Sequence, residues 1–347
     1  MRTRVVCSTI ILALLWPFIV SGCGTAGPTR SVADANVDRS DANVPAFDPS
    51  KKTQQLSTGI TMAYVEAGNP DGEVVIMLHG YTDTSRSFIP TIEALVAGSA
   101  PFHIYALDQR GHGASSMPPA ADCAHVPEQC FGLTDFADDV PAFMDARNIA
   151  AAHIVGHSMG SMAAYDLTPV VAGPDVRDFM TNLWVTEFTA DPAFLEAIVP
   201  ETTDIRLGTW IGALRNQLAF NSGTRLWRLE VPALALWAKQ DVIFPEPDQA
   251  ALRAALDAAV DRCNLDVYFH KTYGKEPPPA DATQNDIGHN MHWGAYAGVA
   301  ADLAAWIAGK QPTADLYYAN PLVAGSVLTE AGTATIITKQ KASGCAP

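Results

Sequence analysis

Gly156-His157-Ser158-Met159-Gly160 sets a serine between two glycines, where an apolar run at 150–155 hands over to a helix-like stretch at 161–165. A serine hydroxyl is a poor nucleophile at neutral pH and needs a base within hydrogen-bond reach. The G-x-S-x-G spacing has a mechanical reason. A sharp strand-to-helix turn forces strained dihedrals on the serine, and small residues two positions away on either side avoid clashes. The helix N-terminus that follows favours an anion. If Ser158 is a nucleophile, a base, an acid and an oxyanion site must lie elsewhere in the chain.

The base is expected late. Asp286-Ile287-Gly288-His289-Asn290-Met291-His292-Trp293 offers two histidines. His289 follows a glycine in a loop between the last strand and the last helix, from which it can reach over the strand ends. His292 would start the helix and point elsewhere. The H-x-x-H spacing also suits a metal, but no third ligand of convincing spacing accompanies it, so neither a metal nor a cofactor is expected. His79 and His112 read as buttresses of loops near the site, and His157 as packing under the turn.

An acid must hold the imidazole in the right tautomer and stabilise its charged form. Asp241 stands just beyond the apolar run at 234–237, which gives the chain order Ser158, Asp241, His289. Glu187 and Asp191, after the preceding strand candidate, are the competing acids. Backbone N–H groups must aim at the developing oxyanion. One belongs to Met159. The other belongs to Tyr81, in the His79-Gly80-Tyr81 loop, where Gly80 permits close backbone approach.

Alternating strand-like and helix-like segments must position these groups. Residues 60–65 read as an outer strand. The run at 74–78 reads as a buried central strand. A helix is expected at 88–97 and a strand at 102–107. Thr134 can cap a helix that places Phe136, Val140, Phe143 and Met144 on one face. Strands are expected at 153–155, 183–188, 234–237 and 265–269, and helices from the turn to about 167, at 248–260 and at 293–307. In the last, Val299, Leu303, Trp306 and Ile307 recur at helical spacing. Repeated β-then-α implies an α/β fold, a mostly parallel central sheet with helices on both faces. Residues 190–229 break the rhythm and read as a small inserted cap. In the tail, 311–347, a hairpin is expected over 327–339 around Glu330-Ala331-Gly332.

Of 347 residues, 48% are hydrophobic and 17% charged, enough apolar content for a sizeable core. A net charge of −15, with no basic stripe, argues against a nucleic-acid partner. Arg2 and Arg4 precede an uncharged, mostly apolar run of sixteen residues, 5–20, interrupted by Pro17. That is shorter than the ~20 residues of a membrane helix, so 1–22 read as an export signal. Its end, Val20-Ser21-Gly22-Cys23, resembles the lipobox of bacterial lipoproteins. The resemblance implies cleavage before Cys23, a lipid on its sulfur, and a domain held at the bacterial cell envelope, facing periplasm or exterior. Residues 23–55 are polar and Pro-containing and read as a flexible tether. Cys123, Cys130, Cys263 and Cys345 remain, and four cysteines allow three pairings. A local Cys123–Cys130 bridge would leave Cys263 with Cys345, pinning the tail to the body.

The segments HGYTDTSRSF at 79–88, DQRGHGASS at 108–116, GHSMGS at 156–161, AKQDVIFP at 238–245 and GHNMHWG at 288–294 resemble the α/β-hydrolase family of the esterase and lipase type. They occur in the family's order and span most of a domain at 56–310. Ser161 departs from the family's usual glycine, and residues 274–286 lengthen the loop before His289. The resemblance implies serine-dependent hydrolysis of a small-molecule ester, thioester or lactone, with Phe188, Trp210 and Phe220 as candidate walls of an apolar pocket. Perhydrolases or haloperoxidases, carbon–carbon bond hydrolases and aminopeptidases share these motifs and are the alternatives. Epoxide hydrolases and dehalogenases resemble them with Asp at the nucleophile position. The rival of another class is a lipoprotein that binds a partner through an inactive scaffold.

Overall fold

The computed structural model describes residues 5–12, 50–98, 101–118, 130–161, 189–203, 226, 229–241, 243–275, 286–320, 322–323 and 325–345. Its strands, in chain order, are β1 (Val5–Leu12), β2 (Lys52–Gln55), β3 (Thr61–Gly68), β4 (Glu73–Leu78), β5 (Phe102–Leu107), β6 (Ala151–His157), β7 (Ala233–Ala238), β8 (Val267–Tyr273), β9 (Leu316–Ala319), β10 (Val327–Glu330) and β11 (Ile336–Gln340). Nine form one sheet, ordered β11-β8-β7-β1-β6-β4-β5-β3-β2. From β8 across to β5 all neighbours are parallel. The pairs at the edges, β11–β8, β5–β3 and β3–β2, are antiparallel. This is the α/β architecture expected from the alternation.

Residue parity along the central strands decides the two faces. Val75 and Met77 enter one core with Leu234, Leu236 and Ala238, beneath α1 (Ile89–Ala97) and α6 (Tyr296–Ile307). Ile76 and Leu78 enter the opposite core, with Phe143 and Met144 of α2 (Leu133–Ala146). Ala233 and Ala235 lie against Leu252, Leu256 and Val260 of α4 (Glu246–Asp261). Each strand is buried on both sides, hence the continuous apolar runs.

Register aligns the strand ends. Leu78 pairs with Leu107 on one side and Gly156 on the other. The loops after β4, β5, β6, β7 and β8 therefore open at one edge of the sheet, where open α/β folds bind ligands.

Several expectations need revision. The helix at α2 is not capped by Thr134: its N-cap is Gly132, whose N–H is held by the Asp135 carboxylate. The last helix is two pieces, α5 (Met291–Gly294) and α6, separated at Ala295. The hairpin expected over 327–339 does not form. β10 pairs with β9, and β11 instead extends the main sheet on β8. Val5–Leu12, inside the run read as an export signal, occupies the centre of the sheet between β6 and β7. Cleavage before Cys23 would remove that strand. The strand expected at 183–188, the helix expected to about 167 and most of the 190–229 insertion lie outside the described residues. Within that insertion the structure describes α3 (Pro192–Thr203).

Cys263 and Cys345 are joined, with Cα atoms 5.6 Å apart. Cys130 is also disulfide-bonded. The Cys263–Cys345 bridge closes a separation of 82 residues and ties the end of the tail to the turn after α4. A bridge closing a loop of this size contributes about 2–4 kcal/mol. Cys345→Ser should therefore lower the thermal midpoint by several degrees in an unfolding scan. An unchanged midpoint would mean the tail stays seated without the covalent link.

Candidate active site

Ser158 follows β6 directly and opens a single 3-10 turn, Ser158–Ser161. Its φ is +46°, a conformation that costs a non-glycine residue on the order of 1–3 kcal/mol. The side chain is nearly buried. Strain of this kind persists only where the surroundings impose it, and here β6 ends one residue earlier, between two neighbouring strands.

The loop after β4 closes on the serine. A Cβ on Gly80 would lie 2.8 Å from His157 Nδ1 and 3.3 Å from Ser158 Cβ, so only glycine admits this approach. Gly80, Tyr81, Thr82 and Asp83 line a small cavity of about 10 Å³ together with His157, Ser158, His289, Asn290 and Trp293. That is room for about one water molecule. The described walls thus form the reacting end of a site rather than a whole substrate pocket.

His289 and Asp241 meet from separate loops. His289 Nδ1 donates to Asp241 Oδ2 at 3.0 Å, and both side chains are buried. Asp241 Oδ1 accepts the N–H groups of Ile243 and Phe244, each at 2.9 Å. One carboxylate is thereby fixed by three donors, and its second oxygen points at the imidazole. With Nδ1–H committed to the carboxylate, Nε2 is left as the proton acceptor. Asp241 is thus the carboxylate that His289 meets. Of its rivals, Asp191 accepts the Ala193 N–H at the start of α3, and Glu187 lies outside the described residues. Met159, fully buried, follows the serine at the start of the turn, and Tyr81 lies on the cavity wall.

Neutral imidazoles brace the surrounding loops. His79 Nδ1 donates to Gly80 O at 2.8 Å, and its Nε2 accepts the Gln109 N–H at 3.0 Å. His112 Nδ1 donates to Arg110 O, and the His79 and His112 rings are 5.0 Å apart. Arg110 forks onto Asp139 at 2.6 and 2.7 Å. Both loop histidines therefore buttress, as expected. His157 lies beneath the turn and donates Nε2–H to His289 O at 3.2 Å.

The structure adds what spacing did not show. His292 does not point away from the site: its fully buried ring lies 4.0 Å from that of His157, centroid to centroid. Asp83 and Trp293 line the cavity. Trp293 packs with Ile198, Val199 and Phe194 of α3, seating that helix on the loop that carries His289. Glu201 of α3 accepts from Lys51 and Thr84, at 2.8 and 2.7 Å, and from Arg86. The apolar candidates Phe188, Trp210 and Phe220 lie outside the described residues, as does Cys23. No helix of the described residues is long and apolar enough to cross a membrane.

A strained serine after a central strand, a carboxylate–imidazole pair from later loops and a glycine-admitted approach thus meet at one edge of the sheet. The α/β-hydrolase fold family model matches residues 73–168. The chain belongs to this family. It is 33% identical over 210 residues to (E)-2-((N-methylformamido)methylene)succinate hydrolase of Acinetobacter baylyi, covering 56% of this chain and 73% of that protein. It is 34% identical over 110 residues to epoxide hydrolase A of Mycobacterium tuberculosis, covering 32% of this chain and 31% of that protein. A solved esterase from Exiguobacterium antarcticum superposes with a TM-score of 0.53 at 13% identity, over 75% of this chain and all of that one.

Burial holds the imidazoles of His79, His157 and His292 well below their ordinary value, and that of His112 at about 4. The unfolded chain, with histidines near ~6.5, then binds more protons than the folded one wherever the pH lies between the two values. Stability must rise with pH across that window. The stabilising difference is complete above about pH 6.5 and is lost as the pH falls from there towards 4. Thermal midpoints measured from pH 7.5 down to 4.5 should begin to fall near pH 6.5, before most carboxylates titrate. A flat profile to pH 5 would mean that these rings do not stay neutral in the fold.

Proposed function

We propose that the protein hydrolyses a small-molecule carboxylic ester, thioester or lactone through an acyl-enzyme on Ser158. The observation that carries this reading is the 3.0 Å Asp241–His289 hydrogen bond, with His289 and the strained Ser158 on the wall of one cavity. His289 Nε2 takes the proton of Ser158 as Oγ attacks the acyl carbon. The tetrahedral oxyanion is held by the backbone N–H groups of Met159 and Tyr81. His289 then returns the proton to the leaving alcohol or thiol. A water deprotonated by the same nitrogen attacks the acyl carbon, and Ser158 is released with the carboxylic acid product. Asp241 keeps Nδ1 protonated and stabilises the imidazolium that forms at each attack. No cofactor enters the scheme.

Opening of an epoxide by the family's Asp nucleophile is disfavoured by Ser158. Perhydrolysis and carbon–carbon cleavage would use the same three side chains. A p-nitrophenyl ester series beside a diketone substrate separates them.

Ser158→Ala and His289→Ala should each lower ester kcat/KM by several orders of magnitude, with little further loss in the double variant. Labelling by a fluorophosphonate probe should vanish in Ser158→Ala. Ser158→Gly should also be inactive, yet melt at a higher temperature, since glycine accepts the positive φ without strain. Wild-type levels of turnover in either single variant would overturn the reading.

We propose further that the chain is exported and anchored through a lipid on Cys23. The disulfides support an oxidising compartment. Labelling with a radioactive fatty acid should be lost in Cys23→Ala, and the labelled chain should begin at residue 23. An unlabelled chain that retains residues 1–22 would contradict this and agree with β1 in its place in the sheet.

A further inference from the structure

We propose that Asp83, His157 and His292 form a binding site for a divalent transition-metal ion of the zinc class. The three come from different elements near the strand ends: Asp83 in the loop after β4, His157 at the end of β6, and His292 in α5. One ligand atom from each lies within 4.8 Å of the other two, and all three residues are buried. Asp83 Oδ2 and His292 Nε2 are 4.0 Å apart. Ligands around a tetrahedral zinc ion sit about 3.3 Å from one another, given bonds of about 2.0–2.1 Å. That pair must close by about 0.7 Å, and no pair by more than about 1.5 Å, to reach this geometry.

The hydrogen bonds favour a cation over a simple polar cluster. His157 Nδ1 and both nitrogens of His292 are buried and have no hydrogen-bond partner among the described residues. Each such atom costs on the order of 1–3 kcal/mol when left unpaired. A direct Asp83–His292 hydrogen bond would settle one nitrogen. A metal ion settles His292 Nε2 and His157 Nδ1 together. His157 is already prepared for this, because its Nε2–H is committed to His289 O and its Nδ1 must then carry the lone pair. Metal-ligating histidines characteristically donate their other N–H to a carbonyl or carboxylate in this way. Asp83 Oδ1 is likewise held, by the Thr84 N–H at 3.1 Å, the Ser87 hydroxyl also bonds this carboxylate, and Oδ2 faces His292. Two imidazoles and one carboxylate are a donor set suited to zinc and its neighbours rather than to magnesium or calcium.

His289 is not part of this cluster. Asp83 and His157 do, however, share the cavity wall with Ser158. Binding is measured directly, so the result does not depend on whether the chain hydrolyses esters.

The test uses the full chain, stripped with a chelator, with free thiols blocked by iodoacetamide, and titrated with Co²⁺. Wild type should take up one equivalent and develop the intense visible absorption of a low-coordinate Co²⁺ site, and Zn²⁺ should bleach it. Zn²⁺ should also raise the thermal midpoint. Asp83→Asn, nearly isosteric, and His292→Gln should each weaken binding about tenfold or more and abolish the midpoint shift, while still melting cooperatively. No visible absorption in wild type would overturn the proposal. So would an unchanged titration in Asp83→Asn.

Discussion

The constraint on which the rest depends is that two groups 48 positions apart, Asp241 and His289, must arrive at one edge of a sheet with matched orientation. No single contact enforces this. Parallel pairing fixes the height of each loop, since Ala238 at the end of β7 is registered with Tyr273 at the end of β8. The backbone then does the fine alignment. Gln240 donates to Ile287 O at 3.3 Å, and Lys239 to Tyr273 O at 2.9 Å, so the acid's loop and the base's loop are stitched before their side chains meet. Two N–H donors on Asp241 Oδ1 remove the carboxylate's freedom to turn away. A charged hydrogen bond of this kind is worth ~1.5–3 kcal/mol, and its direction matters more here than its strength.

The same economy governs the turn after β5. Asp108 is fully buried and accepts from Ser85 N–H, Ala114 N–H and Lys51, at 2.8 Å for the first two. A Cβ on Gly113 would fall 2.2 Å from Asp108 Oδ2, and φ there is +51°, so both sterics and backbone demand glycine. This turn carries His112 against His79, and His79 sets the loop that reaches Ser158. Lys51 links the network to Glu201 at 2.8 Å. The seat of α3 over the site is therefore coupled to the charges that hold the loops, through residues that never touch a reacting atom.

How much of this was legible in the sequence follows from which signals are local. Buried strands announce themselves as short apolar runs, and the run at 102–107 matches β5 residue for residue. The serine turn is legible because its glycines answer a local steric demand. Signals that depend on a partner were not legible. A signal peptide core and a central strand share one pattern, a short uncharged apolar run, so the run holding Val5–Leu12 reads equally as either. The turn at Glu330-Ala331-Gly332 looked like a hairpin because turn residues do not say which strand will be the neighbour. His292 was read as the start of a helix, and Asp83 drew no reading of its own within HGYTDTSRSF. Only the folded chain shows that positions this far apart in sequence converge beneath the serine turn.

The tail, which the family's motifs do not reach, bears on the position of His289 by a path that can be followed bond by bond. Asp286, three residues before the histidine, accepts the Ala319 N–H at 2.7 Å with Oδ1 and the Lys275 N–H with Oδ2. Gly274 donates to Tyr317 O at 2.8 Å. The loop that carries His289 is thus fastened at its base to β9, a strand of the tail. β9 is in turn paired with β10, and β11 completes the sheet on β8, with the Cys263–Cys345 bridge closing the end. The sequence is longer than the family's pattern over 274–286, and a longer connection costs little in closure entropy. The Asp286 carboxylate takes the Lys275 N–H from before that stretch and the Ile287 N–H, at 2.8 Å, from after it. The added tail and the lengthened loop are therefore best understood as one device, the second tolerable because the first holds its ends.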